Sequence, residues 1–122
     1  MARISQKDAK KLGQNYLEAK SPAMDAIVGK EDSNAIWFEI QDLENYIAYA
    51  KQEAENQGQI INGMRIYLGS YSKDEDNREL AGMTTVFISA TLEGVNAEAN
   101  SEDLNADAFN FGGIGWPPKR VY

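Results

Sequence analysis

The sequence contains neither cysteine nor histidine. The first absence excludes disulfides, thiolate catalysis, iron–sulfur clusters and thiolate zinc sites. The second removes the commonest general base and the commonest metal ligand near neutral pH. An enzyme built from this chain would have to work with carboxylates, lysine, tyrosine or hydroxyls. No run approaches the roughly 18 apolar residues of a membrane span. The basic residues of positions 1–13 are followed by no apolar stretch of the kind a secretory signal carries. The cytoplasm is the expected location. Proline is scarce as well: there are three, two of them adjacent at 117–118.

What is present fits one globular domain. The 122 residues are 43% apolar and 25% charged, close to ordinary proportions. A chain of this length buries about two-thirds of its unfolded surface and needs no metal to fold. The net charge of −7 is unevenly spread. Residues 1–30 hold six basic residues against three acids, residues 31–118 hold four against sixteen, and Lys119 and Arg120 follow. Such a body repels nucleic acid phosphates, so the partners expected are basic, cationic or neutral. Solubility alone is the plainer account of the same acidity.

Ser5 and Asp8 form a near capping box. Ala9, Leu12, Tyr16 and Ala19 then recur at helical spacing and predict a first helix lined by that face. Ser21-Pro22 reads as a cap and first-turn proline of a short helix that Gly29 stops. Residues 30–33 read as a polar loop and 35–40 as a strand. Leu43, Tyr46, Ile47, Ala50 and Ala54 fall on one stripe and predict an amphipathic helix over 42–57, with Asp42 as N-cap and Gly58 just past the end. Met64, Ile66 and Leu68 alternate with Arg65, Tyr67 and Gly69, a strand pattern. Residues 72–82 are a polar loop, and residues 84–92 are β-branched and apolar, another strand that could pair with the preceding one as a hairpin. The order points to a small single α+β domain over 1–122: about three mainly antiparallel strands and two main helices, with a helical region at 1–30, a β-α-β-β core at 35–92 and an irregular tail at 93–122.

The block WFEIQDLENYIAYAKQEAENQGQIINGMRIYLGSY, then TTVFISATLEG and a GGIGWPP ending, resembles a family of small bacterial proteins. Its members are similar in a W-F strand, an L-x-x-[YF]-I helix, a G-[MI]-R-[IF]-Y-[LF]-G-x-Y strand and a T-T-V-F strand. The likeness covers roughly residues 35–92. It implies a single domain and carries no activity or catalytic residue across.

Three patterns invite chemistry. Asp74, Glu75, Asp76 and Glu79 could converge on a divalent cation, or be a solvated loop that guards a strand edge. Asp103, Asn105 and Asp107 stand at alternate positions as in an EF-hand loop, but Ala108 stands where the glycine belongs and Ile114 where the glutamate belongs. Gly112, Gly113 and Gly115 have neither the strand nor the helix of a phosphate cradle around them. No metal, no cofactor and no catalytic residue is expected.

Arg65, Tyr67, Gly69 and Tyr71 share one strand face. It reads either as a recognition surface with Tyr and Arg anchors or as a face that the tail covers. The tail itself, FNFGGIGWPPKRVY, would expose Phe109, Phe111, Ile114 and Trp116. At about 1.5–3 kcal/mol per buried side chain, these residues are expected to fold back onto the sheet, with Trp116 filling the dent at Gly69. Docking onto a partner, including another copy of the chain, is the alternative, so a homo-oligomer stays open.

The leading functional expectation is a small acidic cytoplasmic binding module without catalysis, inhibitor- or immunity-like against a basic protein, with no nucleic acid or membrane partner. Its candidate partner- or ligand-binding residues are Arg65, Tyr67, Tyr71, Asp74, Asp76 and Trp116. One alternative is a small-ligand pocket between the tail and the Tyr67/Tyr71 strand. Another is a hydrolase using carboxylates such as Glu39, Asp74 and Asp76.

Overall fold

A computed structural model describes residues 2–94, 102–110 and, in backbone only, 113–114. The chain is α+β. Its order is α1 (Gln6–Ala19), α2 (Ser21–Val28), β1 (Ile36–Trp37), α3 (Ile40–Asn56), β2 (Ile61–Ser70), β3 (Thr84–Leu92) and β4 (Gly113–Ile114). β2 pairs with β3, the hairpin the sequence allows, and β1 pairs with β4. The backbone forms two compact units that interleave along the sequence. One holds residues 1–36, 70–85 and 114–122, and the other holds 37–69 and 86–113.

In the first unit, α1 starts where the capping box predicts: the Asp8 amide donates to Ser5 Oγ at 3.0 Å. The buried side of α1 differs from the expected stripe. Leu12 is exposed, and the half-buried positions are Ala9, Gly13, Tyr16 and Leu17. The helix meets α2, and its half-buried line runs through Gly13 and Leu17 where periodicity alone places Leu12 and Ala19. α2 takes Ser21 as its first helical residue, not as its cap. Pro22 still stands in the first turn, where its missing N–H costs nothing. Gly29 closes α2 in the left-handed region, φ 85°, a conformation that a Cβ would strain.

The predicted polar loop at 30–33 contains the most buried charged residue of this unit. Asp32 and Ser33 are fully buried. The Asp32 carboxylate accepts from the Ser33 amide at 2.9 Å, from the Thr84 amide at 2.7 Å and from the Thr84 hydroxyl. Ser33 Oγ donates to the Thr84 carbonyl, and the Asp32 amide donates to Asp25 Oδ1 at 2.8 Å. A carboxylate taken out of water needs such donors, and here it has three. They fasten the segment after α2 to the first residue of β3.

The second unit begins at Trp37, and the strand predicted over 35–40 shrinks to Ile36–Trp37, because the backbone turns helical at Ile40. Glu39 is the N-cap of α3, and Asp42 lies inside the first turn, where its charge faces the positive helix end. The C-terminus matches expectation. Gly58 has φ 68°, its amide donates to Glu55 O at 3.0 Å, and the Gln59 amide donates to Ala54 O at 2.8 Å. That is a Schellman ending.

The core of this unit is built from small residues. Ala50 and Ala54 of α3 meet Ala90 of β3 and Leu104, flanked by Ile61, Met64, Leu92 and Ala106. Alanines let the helix axis approach the sheet closely, and Leu104 fills the remaining space. Residues 102–110, read from sequence as irregular, run antiparallel beside β3. The Leu92 amide donates to Glu102 O, the Leu104 amide to Ala90 O, and Ile88 and Phe109 exchange both backbone bonds at 2.8 and 2.9 Å. Phe109 packs against Phe38 and Tyr46, with ring centroids 5.1 and 5.5 Å apart. At Phe109 the expected return of the tail onto the sheet is therefore seen. Residues 111–112 and 115–122, Phe111 and Trp116 among them, lie outside the described residues, as does the side chain of Ile114.

Candidate functional site

The β2 strand sorts its side chains by alternation. Tyr67 stacks on Phe87 of β3, with centroids 5.0 Å apart and planes 13° from parallel. That contact fixes which face Arg65 and Tyr67 occupy. Both converge on Asp103, which the strip beside β3 delivers opposite Thr91. Arg65 donates to Asp103 Oδ1 at 2.6 Å, and the Tyr67 hydroxyl donates to Oδ2. All three side chains keep contact with water: Arg65 and Tyr67 are half-buried and Asp103 is exposed. Hydrogen bonding with Tyr67 and the nearby Asp103 carboxylate raise the Arg65 guanidinium above its usual value. The group is cationic at every working pH either way.

This constellation is a polar clasp. It ties the strip at 102–110 to β2 across β3 and uses both oxygens of Asp103. An EF-hand-like role for Asp103 would require those oxygens to leave a guanidinium and a phenol. The neighbouring residues are also engaged through their backbone: Gln57 donates to Asn105 O, and the Asp107 amide donates to the Tyr49 hydroxyl. Among the described residues no three carboxylates come together in the manner of a metal site.

The other sequence candidates sit elsewhere. Tyr71, Asp74 and Asp76 belong to the first unit. Asp74 and Asp76 are exposed on an ordered loop. The Arg78 guanidinium curls back onto Lys73 O and Glu75 O, Lys30 Nζ reaches Arg78 O at 2.8 Å, and the Gly82 amide donates to Ser72 O. Basic side chains thus serve the loop backbone, and the two carboxylates point into solvent. Glu39 is exposed at the start of α3. Trp116 lies outside the described residues.

Two features escaped the sequence reading. One is Asp103 as the partner of Arg65 and Tyr67, since a clasp across 36 residues leaves no local signal. The other is the exposure of the far face of β2. Ile66 and Leu68 alternate with Arg65 and Tyr67 and so share the face of Met64, which packs against the alanine core. The packing does not extend to the next two residues of that face: Ile66 is 64% and Leu68 84% exposed. Near the start of the same strand, Ala54, Gly58, Gln59, Ile60 and Ile61 line a mostly apolar depression of about 400 Å³, open to solvent.

The second unit is also acidic. Its described residues carry nine Asp and Glu against Lys51 and Arg65, and Arg65 is already paired. No helix among the described residues is long and apolar enough to cross a membrane. No protein-family model matches the chain, and no curated protein or solved structure is detectably similar to it.

Proposed function

We propose that this chain is a non-catalytic binding module of the bacterial cytoplasm that recognises a basic protein partner, in the manner of an inhibitor or immunity protein. The observation that carries this reading is the charge of the second unit: nine acids against two bases, one base being neutralised by Asp103. A surface of that sign steers cationic partners and repels nucleic acid. The exposed Asp74 and Asp76 extend the same chemistry to the first unit.

The test is titration of the full chain with a cationic probe, polylysine, beside polyglutamate, at low and at physiological salt. Binding of polylysine that weakens as salt rises is the expected result. Equal indifference to both polymers at both salts would overturn the proposal. A second reading, a small apolar ligand, rests on the depression beside Ile60 and Ile61, whose volume falls in the range of ligand sites. Its test is quenching of a bound apolar dye by Ile60→Glu, with polylysine binding left intact.

A further inference from the structure

A sheet edge offers unpaired N–H and C=O groups to any extended chain, and proteins usually guard such edges with lysine, proline, a bulge or shortness. β2 is ten residues long and contains no proline. Among the described residues it pairs with β3 on one side, and no strand borders the other. Its single charged side chain, Arg65, is held on the opposite face by Asp103. The side chains that accompany the open edge are Ile66 and Leu68, both largely exposed. Edge and apolar pair together are what strand addition uses: the backbone supplies affinity, and alternate side chains supply selection.

The charge of this unit decides between occupants. A second copy would bring nine acids against nine, a like-charge approach that opposes antiparallel self-pairing of β2. The same field attracts a strand whose solvent-facing positions are lysine or arginine. We therefore infer that β2 is the docking edge for an extended cationic segment of a partner protein, which adds to the sheet beside Met64–Leu68 and lays its apolar residues on Ile66 and Leu68. This rests on the proposed recognition of a basic partner and specifies its mode. The acidity that draws the partner is also what keeps an otherwise unguarded edge from pairing with itself.

The experiment uses the full chain, labelled for amide NMR, and an eight-residue peptide alternating lysine and valine. A peptide alternating lysine and proline carries the same charge but cannot extend a sheet. The expected result is that the lysine–valine peptide shifts β2 amides and slows exchange at alternate β2 positions, while the lysine–proline peptide does neither. Leu68→Lys, at a site too exposed to disturb folding, is expected to weaken the lysine–valine peptide by about tenfold or more. Equal binding of both peptides, or shifts that map away from β2, would overturn strand addition while leaving recognition of basic partners standing. Loss of binding by every cationic probe would remove both. Concentration-dependent protection of β2 in the peptide-free chain at physiological salt would assign the edge to a second copy and end the proposal.

Discussion

Asp32 shows what a single residue can hold. Its carboxylate is fully buried and accepts three hydrogen bonds, two of them from Thr84. Removing it strands the donors in a place water does not reach, where each orphaned group costs about 1–3 kcal/mol. Asp32→Ala is expected to lower stability by about 3 kcal/mol or more, measured by urea unfolding. Asp32→Asn keeps one accepting oxygen and should lose clearly less. A loss below about 1 kcal/mol for the alanine variant would mean the clamp does not hold the first unit together. Nothing in the local sequence marks Asp32, because KEDSN reads as any polar loop. The burial comes from Thr84, 52 positions away.

Tyr46 makes the matching case in the second unit. Its ring stacks on Phe109 and its hydroxyl donates to Asp107 O at 3.0 Å. Burial raises its ionisation above the ordinary value of 10.0, with the Tyr49, Asp107 and Asp103 charges adding to the rise. The folded state therefore holds this proton more tightly than the unfolded chain does. The stabilisation is fully present below pH 10.0 and is lost as pH climbs through the raised folded value. Thermal melts across pH 8–11.5 should show that alkaline decline in the parent. Tyr46→Phe should shrink it while giving up the Asp107 bond at neutral pH, about 1 kcal/mol. An unchanged alkaline decline in Tyr46→Phe would place its origin in other tyrosines or lysines.

At the scale of elements, legibility in the sequence followed how local the cause was. α3 was readable because Leu43, Tyr46, Ala50 and Ala54 repeat at helical spacing and Gly58 closes it, both short-range facts. β2 was readable from alternation and β3 from its β-branched, apolar run, and the hairpin these two could form is the pairing observed. The strip at 102–110 was not, since its inward residues are Leu104 and Ala106, and one leucine with one alanine makes a weak stripe. The exposure of Ile66 and Leu68 was hidden for a related reason: alternation gives the face of a strand, but not how far distant parts of the chain cover that face. The Arg65–Tyr67 pair was legible as a candidate, and its partner Asp103 was not. The alanine core yields an asymmetric expectation. Leu104→Ala opens a cavity and should cost about 2–5 kcal/mol. Ala54→Leu forces extra volume between helix and sheet and should cost about 1–3 kcal/mol. The double variant offers the new leucine part of the vacated space, so its loss should be smaller than the sum in denaturant melts. Strict additivity would show that the two sites do not share one packing volume.

For the whole molecule the governing quantity is charge. With nineteen acids against twelve bases and no histidine, the chain is anionic throughout the neutral range. The charges are mostly exposed, and the one ion pair between described side chains, Arg65–Asp103, is itself about a third accessible to solvent. Exposed pairs contribute about 0–1 kcal/mol and weaken in salt. Repulsion among many like charges also weakens in salt, and it opposes the folded state. The two effects of salt have opposite signs, and the numbers decide between them: among the described residues one exposed pair stands against eighteen acids and ten bases, a surplus of eight negative charges. Raising sodium chloride from about 10 to 150 mM shortens the screening length from roughly 30 to 8 Å, so the melting temperature should rise. Asp103→Asn, which removes the favourable pair and one repulsive charge together, should leave that rise nearly intact. A melting temperature that falls over the same range would mean that attraction at the Arg65–Tyr67–Asp103 clasp outweighs the repulsion of the whole surface. The acidic field would then be too weak to keep β2 from its own copies or to select a cationic strand.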